Sequence, residues 1–122
     1  PTFPGSGAAG FALYDGASRF GATLHVMEDR VDEGAIIDVA WFDLPPGNKM
    51  RYDELEVLAY QRAVELFHKY APHLAADDSP LPVSGERWSG VKRTKAQVAA
   101  MREPPRDASE DEIRRRFRAF GI

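Results

Sequence analysis

The sequence contains no cysteine. That absence removes a disulfide framework, a thiolate nucleophile and any cysteine-ligated metal site. No apolar run approaches the ~20 residues that cross a bilayer as a helix, and no signal-peptide pattern is present. No membrane partner is therefore expected, and the expected location is the cytoplasm. A strong charge of one sign is missing too: 16 Lys and Arg stand against 19 Asp and Glu, for a formal net charge of -3. Such a chain has no overall positive field to recruit nucleic acid or an anionic membrane. The alternating D-x-D-x-D-G order of a calcium loop is absent, as is the H-x-x-x-H spacing of a zinc helix, so no metal is expected. The first residue is not Met but Pro1, and "PTFPG" reads as a chain entered in mid-fold.

What is present suits one globular domain or part of one. Hydrophobic residues make up 43% of 122 and charged residues 29%, enough to bury a core. Residues 1–7 are turn material, rich in Pro and Gly. Ser6 is a candidate cap for a short apolar helix over 7–14, which Asp15 and Gly16 would end. Residues 21–27 ("GATLHVM") alternate as a strand, and 35–44 ("AIIDVAWFDL") open with the apolar run of a buried strand. "PPGN" at 45–48 is a turn. From 53 to 70, Leu55, Leu58, Ala59, Leu66, Phe67 and Tyr70 recur at helical spacing. Asp53 with Glu56 would start that helix, and Pro72 would end it. Residues 75–90 read as an extended surface segment. Thr94 with Gln97, and Ser109 with Glu112, are capping boxes for two short helices, one stopped by Pro104 and Pro105 and the other reaching Phe120. In the second, Ile113, Phe117 and Phe120 form an apolar stripe, while Arg114, Arg115, Arg116 and Arg118 are expected to face mostly solvent.

The stretch "TLHVMEDRVDEGAII" carries Glu28, Asp29 and Asp32 in one loop, with His25 just inside the preceding strand. Like charges crowded together cost stability unless solvent screens them or the loop has a task. One reading is a solvated turn beside a half-buried strand histidine; another is a metal site, which the spacing disfavours. A third uses a single carboxylate. At the end of a strand pair, beside a Gly that permits close backbone approach, it would accept a proton or orient a protonated partner.

The residues Pro1, Pro4, Gly5, Gly16, Gly21, Thr23, His25, Met27, Asp32, Gly34, Ile36 and Ile37 fall in the order of a known pattern. The stretch 1–37 resembles the second half of the catalytic domain of the N10-formyltetrahydrofolate-dependent formyltransferases, with their "Gly-x-Thr-x-His-x-Met" strand and "Asp-x-Gly-x-Ile-Ile" turn. That family includes methionyl-tRNA, glycinamide ribonucleotide and sugar-nucleotide formyltransferases. The tail "EIRRRFRAFG" resembles the family's "E-I-x-x-x-I-R-A-F" helix. The implied fold class is α/β: the C-terminal half of a Rossmann-like formyltransferase domain, with an extended segment and short C-terminal helices. Residues 1–74 would be the catalytic half and 75–122 a C-terminal extension.

The resemblance also implies chemistry. Asp32 would be the catalytic carboxylate, assisting proton transfer as an amine attacks the formyl carbon. N10-formyltetrahydrofolate would be the formyl donor, with its ring embraced by His25, Met27, Glu28, Asp29, Arg30, Val31 and Asp32. His25 would support rather than catalyse. The family's Asn and His, in "Asn-x-His-Pro", would stand just before Pro1. A small-molecule amine, with an amino sugar on a nucleotide leading, is the expected acceptor. A tRNA acceptor is less expected, because a further basic domain would be needed to hold its phosphates. Hydrolysis of the formyl donor is a sister reading, and a non-catalytic folate- or partner-binding remnant is the reading of another class. Trp88 would stack on a base or pin a loop.

Overall fold

A computed structural model describes residues 1–30, 32–47, 49–76 and 80–121. Its elements in chain order are α1 (Ala8–Tyr14), β1 (Arg19–His25), β2 (Ile36–Asp43), α2 (Tyr52–Ala76), α3 (Lys95–Met101) and α4 (Glu110–Phe120). The two strands pair antiparallel, Phe20 opposite Phe42 and Ala22 opposite Ala40, with a bulge between Leu24 and His25. The chain is thus a small α/β piece built on one hairpin. Among the described residues no helix is long and apolar enough to cross a membrane.

Strand alternation sends Phe20, Ala22 and Leu24 to one face of the hairpin and Arg19, Gly21, Thr23 and His25 to the other. Helix α2 lies against the first face. Leu55 and Leu66 are its buried residues; Leu55 joins Ala9, Ala12 and Leu44 in one core cluster, flanked by Phe20 and Phe42. Asp38 of β2 ties the same helix down, accepting from Lys69 Nζ at 2.9 Å and Tyr70 Oη at 2.7 Å. A second cluster joins α1 to α4 through Phe11, Ala119 and Phe120. Gly10 makes it possible: a Cβ there would stand 2.5 Å from the Phe120 ring and 2.8 Å from the Ala119 carbonyl.

Several local expectations shift in the fold. The first strand begins at Arg19 and ends at His25, so Val26 and Met27 leave the sheet. Gly7, not Ser6, stands at the α1 N-cap, at φ 68°, and no side chain caps that helix; the Ser6 N–H instead donates to the Arg93 carbonyl. Helix α2 starts at Tyr52 and runs through Pro72. Its acids Asp53 and Glu54 stand in the first turn, where the helix dipole favours negative charge. Pro72 removes one N–H but does not end the helix, which continues to Ala76. Phe67 is 62% exposed and is not core. Both halves of the Thr94–Gln97 capping box form. Ser109 does accept from Glu112 N, but the Glu112 carboxylate is drawn off to Tyr14 Oη at 2.6 Å and Arg116 Nε at 2.8 Å.

The arginines of α4 are only partly solvated. Arg115 donates to the Tyr14 carbonyl at the end of α1 and lies 3.9 Å from the Tyr14 ring centre. Arg116 pairs with Glu112, and Arg118 has a buried guanidinium nitrogen. Ile113 and Phe117 are exposed, so Phe120 alone carries the expected stripe into the core.

Leu66→Ala removes a buried side chain between helix and sheet and is expected to cost about 2–5 kcal/mol; a loss below about half a kcal/mol in a denaturant titration would show that the helix face is misassigned. A second test concerns acid. Hydrogen bonds from Lys69 and then Tyr70 hold the Asp38 carboxyl below its usual range. Its contribution is therefore present above the unfolded value of about 4 and lost as pH falls through the lower folded value. Asp38→Asn should lower the melting temperature at pH 7 and flatten its fall toward acid; an unchanged acid limb assigns the dependence to other carboxylates.

Candidate functional site

The loop after β1 turns back on itself around Asp32, which adopts φ 58°. That left-handed region is costly for most side chains and tolerated by Asp. The turn aims the carboxylate across the molecule: Oδ2 accepts from the Gly5 N–H at 2.6 Å, and Oδ1 stands 3.9 Å from His25 Nε2. His25 Nδ1 lies 2.9 Å from the Val26 carbonyl. A carbonyl only accepts, so Nδ1–H donates to it, and Nε2 is the ring nitrogen turned toward Asp32; in the neutral tautomer it presents a lone pair there. Two acceptors then face each other, Nε2 and Asp32 Oδ1. Groups arranged in this way can pass a proton between them once brought within hydrogen-bond reach.

Residues 84–93 hold this arrangement together. Ser84 donates from both N and Oγ to the Ile36 carbonyl. Trp88 Nε1 donates to the Gly34 carbonyl at 2.8 Å, while its ring meets His25 edge-on at 5.1 Å. Trp88 is thus a loop pin. Further along, Ser89 N donates to the Pro1 carbonyl at 2.8 Å and Arg93 N to Pro4 O at 3.1 Å. Gly34 fits beneath the turn so closely that a Cβ would collide with the Val26 carbonyl oxygen.

A cavity of about 220 Å³ opens beside Asp32 and His25. Phe3, Trp41 and Trp88 give it aromatic walls, and Arg19 and Thr23 line it from β1. Of the residues singled out from the sequence, His25 and Asp32 come together here. Met27, Glu28, Asp29 and Arg30 are exposed on the loop, with Met27 at 88%; Val31 lies outside the described residues. Sequence reasoning missed the Gly5 N–H, Arg19 and Trp41. The pairing of Gly21 with Trp41 was readable only once the hairpin register was known.

No family model matches the sequence, and no curated protein matches it. Solved structures do. The N-formyltransferase of Helicobacter canadensis, crystallised with folinic acid and dTDP-3-aminofucose, overlays 98% of this chain on 44% of its own, with TM-score 0.74 and 18% identity. A sugar N-formyltransferase from a Shewanella species overlays 98% of this chain on 47% of its own, with TM-score 0.76 and 18% identity. HypX from Aquifex aeolicus, in complex with tetrahydrofolic acid, does so over 98% of this chain and 20% of its own, with TM-score 0.56 and 19% identity. The chain spans less than half the length of each of these three. At such identities the likeness shows the fold: part of a formyltransferase fold.

Gly34→Ala tests the turn. The added methyl must displace the Val26 backbone, so stability should fall by about 1–3 kcal/mol, the usual range for overpacking. An unchanged urea midpoint would mean that the loop shifts freely and that Gly34 does not fix the position of Asp32.

Proposed function

We propose that this chain supplies the proton-accepting part of a formyl-transfer site, acting between N10-formyltetrahydrofolate and the primary amine of a small molecule. The observation that carries the reading is the Asp32 carboxylate. It is fixed by the Gly5 N–H at 2.6 Å, and its other oxygen faces His25 Nε2 at the wall of a cavity. The solved structures with this fold that bind folates and aminosugar nucleotides support the choice of reactants.

The fit of a folate is partial, as expected for a piece of a site. Full ligand pockets run to about 300–1,000 Å³, whereas this cavity of about 220 Å³ suits one flat ring between aromatic walls. His25 and Asp32 would meet that ring or the reacting centre. Met27, Glu28, Asp29 and Arg30 would border it from the loop, chiefly through backbone groups. The formyl donor supplies an activated carbonyl carbon. As the amine nitrogen bonds to that carbon, Asp32 takes the proton the nitrogen sheds. His25 Nε2 shares it, and the pair returns one proton to the departing folate nitrogen, so charge balances over the transfer. Amino sugars linked to nucleotides are the favoured acceptors.

The test is consumption of 10-formyltetrahydrofolate, with an amino-sugar nucleotide as acceptor, by the protein that contains these 122 residues. Asp32→Asn keeps the shape and can still accept from Gly5, but cannot take up a proton. Turnover should fall by about 10²–10⁴, the usual worth of a positioned acid–base group, with the fold intact by circular dichroism. Asp29→Asn, on the exposed side of the loop, should cost far less. Near-native turnover in Asp32→Asn would return the acidic loop to a solvated turn, and turnover absent in the unaltered protein would favour a binding role.

A further inference from the structure

We infer that Arg19, lying on Trp41, is a seat for the anionic group of a bound ligand, a phosphate or a carboxylate. The inference rests on the formyl-transfer reading only for which ligands to try. Arg19 and Gly21 lie on the cavity face of β1, and Gly21 is opposite Trp41 in the hairpin. Any side chain at 21 would hold the indole off the sheet: a Cβ there would stand 2.8 Å from Val39 Cγ1 and 3.1 Å from Trp41 Cε3. With glycine the indole packs over the strand, and Glu86 fixes it by accepting from Trp41 Nε1 at 3.2 Å. The Arg19 guanidinium carbon then sits 4.0 Å from the centre of that ring.

The contact with the ring positions the guanidinium without using its hydrogen-bond donors. Among the described residues the Arg19 guanidinium makes no hydrogen bond or ion pair, and none with Asp43, its partner across the sheet. A planar fork held on an aromatic floor, with its donors unspent, matches phosphate and carboxylate oxygens in pairs. The fork lines the same cavity as Asp32 and His25. Of the acids around it, Asp32 holds Gly5 and Glu86 holds Trp41, and Asp43, opposite Arg19 on the same face of the sheet, forms no ion pair with it among the described residues. A ligand seated there would keep its anionic group on Arg19 and its reacting group toward Asp32.

Two ligands carry suitable anions, the acceptor through a diphosphate and the donor through the carboxylates of its glutamate. Isothermal titration of the whole protein with thymidine diphosphate, with 5-formyltetrahydrofolate and with the corresponding pterin lacking glutamate separates them. Arg19→Gln should weaken one of the two anionic probes about tenfold or more, Arg19→Lys less, and leave the pterin unchanged. Loss confined to thymidine diphosphate assigns the seat to the acceptor, and loss confined to the glutamate-bearing folate assigns it to the donor. Equal binding of both by Arg19→Gln, or no binding of either by the unaltered protein, overturns the inference. The outcome is independent of Asp32, because Asp32→Asn removes turnover without touching the anion. Normal turnover in Asp32→Asn alongside a lost anion in Arg19→Gln would sink the proton-acceptor reading alone.

Discussion

Backbone pairing by residues 84–93 is the constraint on which the rest of the site depends. This stretch has no regular structure of its own, yet it bonds to the start of β2 through Ser84 and to the opening turn through Ser89 and Arg93. The opening turn and the acidic loop share no element, and only one direct bond, Gly5 N–H to Asp32, is made between them among the described hydrogen bonds. A charge-assisted bond of that kind contributes about 1.5–3 kcal/mol when both partners are already in place. Without the strap beside it, that bond would have to order two loops by itself, at about 1–2 kcal/mol for each residue fixed.

Within that frame the chemistry follows from commitment of lone pairs and donors. Asp32 gives one oxygen to structure and keeps the other for His25. His25 gives Nδ1 to Val26 and keeps Nε2. Arg19 rests over the Trp41 ring and keeps its donors. Each side chain is oriented through one part and left uncommitted through another, which is how a site keeps its geometry without neutralising its groups.

Much of this was legible in the sequence where the cause is local. The Thr94–Gln97 box formed as read because capping involves residues three apart. The hairpin was legible because alternation and a Gly-bearing loop are local as well. Errors gathered where distant contacts decide. Val26 and Met27 continue the apolar pattern of the strand, but the Gly34 turn pulls them out of the sheet. Phe67 fits the helical period, yet it stays exposed while its neighbour Leu66 is buried. Glu112 has the spacing of a capping box, and Tyr14, 98 positions away, takes its carboxylate instead. Asp32 could be singled out, but its bond to Gly5 and the role of Trp88 as a pin depend on the strap, which has no periodic signature.

The reach of the strap also bears on the order in which the molecule is made. Ser89 closes on Pro1 across 88 positions, and Trp88 on Gly34 across 54. Contacts of such sequence separation form slowly and late, after local helices and hairpins. During synthesis the hairpin and much of α2 emerge while the opening turn still lacks its partner. The acidic loop and the opening turn can therefore take up their working positions only after the chain has been extended beyond Arg93, so the site is among the last parts of the fold to appear.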